Sequence, residues 1–118
     1  MADFEVDQEL LDTLVDGDVE FAQDLIDTYV TSTTEQLVEL RAAADRGQAQ
    51  AFTKTVHTIK GASASLGQVS TQAFALSLER AARAENLEFC RQNLEGFEAA
   101  VRASHAYLRQ YLNSFTDS

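Results

Sequence analysis

Core-type residues in this chain recur at intervals of three and four, and nowhere do they alternate. The pattern is sharpest where Phe52, Val56, Ile59, Ser63 and Leu66 step by 4, 3, 4 and 3. That spacing lines one face of an α-helix and suits packing against neighbouring helices. A half-buried strand needs a run of period two, and the sequence has none. Proline, which would interrupt a helix, is absent, while Ala, Leu, Glu and Gln are common. The expectation is an all-α fold.

The breaks between periodic segments predict five helices. Residues 4–15 form a short first helix with Leu10, Leu11, Leu14 and Val15 on its apolar side, ended by Asp16-Gly17. Asp18 is a suitable N-cap for a second helix. In it Phe21, Leu25, Tyr29, Leu37 and Leu40 recur to about Asp45, and Gly47 is placed to close it. The third helix spans about Gln48 to Leu66 and stops at Gly67. Ser70 is the expected N-cap of the fourth, with Val69 and Phe74 as a hydrophobic staple. Phe74, Leu78, Ala81 and Ala82 form its inner side to about Ala84. Asn86 caps the last helix, which runs to about Leu112 with Cys90, Leu94, Phe97, Val101, Leu108 and Tyr111 facing inward. The polar tail 113–118 is expected to fray. Four long amphipathic helices with short connections predict an antiparallel up-down-up-down four-helix bundle, the short N-terminal helix covering one end. At 118 residues the chain is read as a single domain, 1–118.

Charge removes several functions. Twelve acidic residues and no Lys or Arg precede residue 40, and all nine basic residues lie from Arg41 onward. No basic stripe is available for nucleic acid. Cys90 is alone, so no disulfide can form within the chain, and its spacing with Leu94 and Phe97 predicts a core thiol. No apolar run approaches 18 residues and no signal peptide is present, so neither a membrane partner nor export is expected; the location expected is cytoplasmic. His57, His105 and Cys90 lack metal-ligand spacing. His105, beside the inner face of the last helix, reads as a boundary residue.

One stretch of the third helix is not explained by packing alone. Residues 57–67 read His-Thr-Ile-Lys-Gly-Ala-Ser-Ala-Ser-Leu-Gly. A glycine inside a helix costs roughly 0.5–1 kcal/mol relative to alanine, yet Gly61 sits one turn beyond His57. On a helical wheel Thr53, Gly61 and Ala64 fall within about 40° of His57, with Lys54 and Lys60 about 60° to either side. The seam through Val56 and Ile59 lies to the side, so the imidazole is at the core's edge or outside it. Gly61 leaves it uncovered, and another protein's surface can approach closely. A neutral imidazole nitrogen is a competent nucleophile near pH 7, and a neighbouring ammonium offsets the charge of phosphoryl oxygens. Nothing in the pattern encloses a small substrate.

Residues 57–67 resemble the signature of the histidine-containing phosphotransfer (Hpt) domain: His, any residue, an apolar residue, Lys, Gly, two small residues, two variable residues, an apolar residue, Gly. Every specified position matches. The resemblance extends to the short leading helix, the bundle, and Leu78-Glu79 followed by Ala82-Arg83 on the next helix. It implies that His57 is phosphorylated on Nε2, that Lys60 stabilises the phosphoryl oxygens and that Gly61 gives a partner room. It further implies that Glu79 hydrogen-bonds Nδ1 and holds the ring in the productive tautomer, with Arg83 near the site. Arg80 and Lys54 would add positive charge around it. For Glu79 and Arg83 the plain alternative is an i,i+4 ion pair on an exposed face.

The function so implied is that of a histidine phosphotransfer protein in a multistep two-component phosphorelay. It would carry a phosphoryl group on His57 reversibly between receiver-domain aspartates, with no kinase activity of its own. Its partners would be receiver domains of response regulators and of hybrid sensor histidine kinases. No cofactor or metal is expected on the chain, Mg²⁺ belonging to the receiver, and the chain is expected to be a monomer. The competing readings are a non-catalytic helical-bundle module that docks on a kinase or receiver without transfer, and a plain acidic bundle within a larger assembly.

Overall fold

The computed structural model describes residues 4–115, and all regular structure in them is helical. The helices are α1 (Gln8–Val15), α2 (Val19–Asp45), α3 (Ala49–Ser65), α4 (Val69–Arg83) and α5 (Leu87–Asn113). α2 packs on α3 and α5, and α4 packs on the same two, closing a four-membered ring; α1 lies against α2. The connections 16–18, 46–48, 66–68 and 84–86 are too short for a crossover, so successive helices run antiparallel. The expected four-helix bundle with a short leading helix is the fold found.

The core divides into two apolar clusters. One holds Leu37, Leu40, Phe52, Val56, Ile59, Leu78, Cys90, Leu94, Phe97 and Val101. The other holds Leu11, Val15, Ala22, Ile26, Tyr29, Leu66, Leu108 and Tyr111. Between them each long helix contributes a buried polar residue: Thr33, Ser63, Thr71 and Ser104. Tyr29 Oη and Ser63 Oγ are 2.8 Å apart, as are Thr71 Oγ1 and Ser104 Oγ. The Thr33 hydroxyl donates to the Tyr29 carbonyl at 2.7 Å and lies 2.7 Å from His105 Nε2. Thr33, one of four successive poor helix formers at 31–34, thus supplies a partner for His105, which is half-buried as expected of a boundary residue. Burial among these groups, with Arg109 and Arg102 nearby, lowers its pKa from the ordinary 6.5.

The seam of α3 and the inner face of α5 are buried as the spacing predicts. Cys90 is buried too, and desolvation raises its thiol pKa. Asp18 and Asn86 cap α2 and α5, accepting from the backbone N–H of Phe21 and Phe89.

Other expectations are corrected. α1 starts at Gln8, capped by Asp7, and residues 5–7 before it are hydrogen-bonded to the start of α4 and the turn ahead of it. Asp7 N–H donates to the Gly67 carbonyl (2.7 Å), Ser70 N–H to the Glu5 carbonyl (3.2 Å), and Glu5 N–H to Ser70 Oγ (2.7 Å). Ser70 is therefore occupied by this segment and does not cap α4, which begins at Val69 after Gln68. With Val69 already helical, the staple is absent. In α2 the buried residues are Ala22 and Ile26, whereas Phe21 is 41% exposed and Leu25 half-buried. The small Ala22 lies in the same cluster as Leu11 and Val15 of α1, and the larger neighbours are displaced outward. Leu10 and Leu14 are likewise exposed. In α4, Phe74 and Ala81 only flank the core. Of the tail expected to fray, Asn113 is helical, and 116–118 lie outside the described residues.

Two turn positions carry opposite strain. Gly67 has φ +69°, and a Cβ there would sit 2.5 Å from the Asp7 carbonyl oxygen. Glu85 adopts φ +60° between α4 and α5, a conformation glycine takes without penalty. Gly67→Ala should lower the unfolding free energy by about 1–3 kcal/mol, and Glu85→Gly should raise it by about 1 kcal/mol. Urea denaturation followed by circular dichroism measures both; a shift of the same sign in the two variants would contradict this account.

Candidate functional site

The site lies where α3 and α4 pack, and it is built around a carboxylate. Glu79 follows Leu78, a core residue with no exposed surface, and the same helical turn carries the Glu79 side chain wholly out of solvent as well. A buried charge must be matched by opposite charge and hydrogen-bond donors. Here α3 supplies two donors and α4 one. His57 Nδ1 lies 2.7 Å from Glu79 Oε2. Lys60 Nζ lies 2.6 Å from Oε1, and the Arg83 guanidinium 2.6 Å from Oε2. His57 and Lys60 share one turn of α3, so both reach across to the same residue. Arg83 is one turn beyond Glu79 on α4.

Burial opposes ionisation of Glu79, but the hydrogen bonds from Lys60 and His57 and the charges of Lys60 and Arg83 outweigh it. The net effect is a pKa below the ordinary 4.5. An ionised carboxylate only accepts hydrogen bonds, so His57 Nδ1 must carry the proton that meets Oε2. In the neutral ring this leaves Nε2 with its lone pair free. The His57 side chain is 58% exposed. The arrangement is thus a nucleophilic nitrogen at the surface, oriented from behind by a buried anion and flanked by cations.

The structure brings together His57, Lys60, Glu79 and Arg83, all expected from the sequence. Gly61 is exposed on the next turn, and a Cβ placed on it would meet no atom within 4 Å. Its lack of a side chain therefore has no packing cause inside the bundle. Lys54 and Arg80 are exposed and are not partners of Glu79 among the described residues; Lys54 lines a shallow hollow with Arg83, Thr53 and Ala49. The depth of Glu79 is what the sequence concealed. Its place beside Leu78 and three residues before Ala82 was the available signal, since that register lies on the buried face of α4.

Elsewhere, no group of three or more His, Cys, Asp or Glu among the described residues is placed to hold a metal ion. No helix among them is long and apolar enough to cross a membrane.

Because the pKa of Glu79 is lower in the folded state, its ionisation stabilises the fold at pH values above its unfolded pKa. That contribution is lost as pH falls through the folded pKa. Glu79→Gln keeps the shape and removes the charge. It should cost about 1–2 kcal/mol near pH 7, a modest figure because His57 and Arg83 can turn to solvent. The gap between wild type and variant should narrow below about pH 4.5. Urea titrations between pH 3 and 7 test this, and a gap independent of pH would refute it.

The sequence model of the Hpt domain matches residues 24–113. No curated protein sequence matches the chain. Among solved structures, the crystal structure of histidine-containing phosphotransfer protein B from Pseudomonas aeruginosa PAO1 superposes with a TM-score of 0.86 at 29% identity. The match covers 93% of this chain and 96% of that one. The family match includes α3, α4 and α5 whole together with most of α2, and so the entire site: the chain belongs to the Hpt domain family.

Proposed function

We propose that the chain is a phosphorelay carrier in which His57 Nε2 accepts a phosphoryl group from the aspartyl phosphate of one receiver domain and yields it to the aspartate of another. The observation that carries this reading is the Glu79–His57 contact. A buried anion fixes the proton on Nδ1 and leaves an exposed Nε2 as nucleophile. In the forward step the Nε2 lone pair forms the N–P bond while the P–O bond to the receiver's aspartate breaks, and the electron pair of that bond leaves with the carboxylate. The ring, still protonated at Nδ1, gains positive charge, which Glu79 offsets. The reverse step follows the same path, because no bond is made that the partner cannot break.

The chain acts in this reading as a single domain and a monomer in the cytoplasm. It contributes a nucleophile and a positive environment, and the receiver contributes Mg²⁺ and the acidic pocket. It has no kinase activity: its role is to take phosphate from a receiver and not from ATP. Openness around His57 suits a macromolecular donor, since the exposed ring and bare Gly61 turn form a surface and not a pocket.

Incubation with a receiver loaded with radiolabelled phosphate should label the chain in an acid-labile, alkali-stable form, and His57→Gln should abolish the label. Absence of label with several cognate receivers would overturn the relay and favour the docking module. Gly61→Ala should have opposite effects on two measurements. It should stabilise the bundle by about 0.5–1 kcal/mol, since nothing lies within reach of the added methyl. It should also slow transfer from the receiver by roughly tenfold, since a misplacement of the reacting groups of about 1 Å can cost more than that. Thermal unfolding and transfer kinetics measure the two. Unchanged transfer would show that the partner does not approach over this turn.

A further inference from the structure

The two cations of the site are not equivalent. Lys60 is 24% exposed and its ammonium lies 2.6 Å from Glu79 Oε1, a buried oxygen that no hydrogen bond satisfies among the described residues, so this ion pair is what compensates it. Arg83 is 62% exposed and meets Oε2, which His57 Nδ1 already satisfies at 2.7 Å. If Lys60 turns outward, a buried carboxylate oxygen is left bare, which is costly. If Arg83 turns outward, Oε2 keeps its bond to the imidazole. Arg83 can therefore move at little cost and Lys60 cannot. Arg83 also approaches the same oxygen as the ring, so it is already beside His57. Its guanidinium carries five donors in a planar fork that matches two phosphoryl oxygens at once.

We infer that Arg83 is the cation that takes the phosphoryl oxygens, and that Lys60 is a positioning residue acting on His57 through Glu79. This rests on the reading of His57 as the phosphoacceptor and reverses the division of roles that the sequence signature implies. Lys60 holds Oε1, so the carboxylate cannot rotate, and Oε2 stays aimed at Nδ1. Arg83 swings from Oε2 toward Nε2 as the phosphoryl group arrives.

Two readouts separate the roles. Phosphoramidate loads a histidine without any protein partner: Nε2 attacks phosphorus, the P–N bond of the reagent breaks and ammonia leaves. Phosphorus NMR follows the loading rate, and nitrogen NMR of the imidazole reads the His57 tautomer. Arg83→Gln should slow loading about tenfold, the loss of one charge-assisted contact, and leave the tautomer signal unchanged, with Arg83→Lys recovering part of the rate. Lys60→Ala should shift the ring toward the Nε2–H tautomer and slow loading. Lys60→Gln, which keeps a donor for Oε1 but carries no charge, should restore the tautomer and most of the rate lost in Lys60→Ala. Loading that falls equally in Lys60→Ala and Lys60→Gln, with the tautomer unmoved, would overturn the assignment, as would wild-type loading in Arg83→Gln. Circular dichroism shows whether each variant folds, and the paired conservative variants decide the matter where an alanine variant does not. A chain that phosphoramidate loads but no receiver labels would fail the relay reading and leave this division of roles to be decided by the same measurements.

Discussion

A carboxylate without solvent is the constraint on which the site depends. Glu79 sits on the buried face of α4 and remains ionised there because three donors from two helices converge on it. Removing a charge from water costs several kcal/mol unless partners compensate. The same contacts that meet this cost hold His57 and Lys60 in place and bring Arg83 beside them. Orientation of the nucleophile and stability of the α3–α4 packing are therefore one interaction. An exposed imidazole is ordinarily free to rotate and to exchange tautomers; this one is anchored at Nδ1 while Nε2 stays at the surface.

The rest of the bundle keeps α3 and α4 in the register that this contact needs. Apolar packing alone tolerates sliding, because one leucine replaces another at similar cost. The polar layer between the two apolar clusters does not tolerate it. Ser63 of α3 pairs with Tyr29 of α2, and Thr71 of α4 with Ser104 of α5. A shift of one turn would leave these hydroxyls buried and unpaired. The segment before α1 adds a further clamp at the α3–α4 turn through Asp7, Gly67, Glu5 and Ser70. Gly67 belongs to the sequence signature yet lies away from the histidine, and its place is explained by this clamp and its positive φ.

Much of this was legible from residue spacing. The five helices, the seam of α3, the inner face of α5 and the convergence of His57 with Lys60 follow from period 3.6 and the residue types. The failures share a physical cause: spacing fixes direction around a helix axis and says nothing of distance to the neighbouring element. Phe21 looked more core-like than Ala22 because it is larger, but the close approach of α1 favours the small side chain. Ser70 resembled an N-cap, but a segment distant in sequence claimed its hydroxyl. Glu85 gave no sign that it adopts a left-handed conformation, since that is set by the geometry of a short connection. Glu79 read equally well as an exposed ion pair with Arg83. Only the arrival of α3 on that face turned an i,i+4 pair into a buried hub.

The charge balance of the site suits reversible carriage of a phosphoryl group. One buried anion is met by two cations and an imidazole, so the surface around Nε2 is positive before any phosphate arrives. An incoming phosphoryl group is attracted to that surface, yet among the described residues no wall closes over it, as the exposure of His57 and the empty space at Gly61 show. A site that enclosed the phosphoryl group would stabilise it against release as strongly as it promoted capture. In the proposed relay, an open site leaves much of the transition-state environment to the partner, and the docked receiver would then set the direction of transfer. The bundle's requirement is rigidity at one nitrogen. A buried carboxylate locked between two helices meets that requirement with few residues.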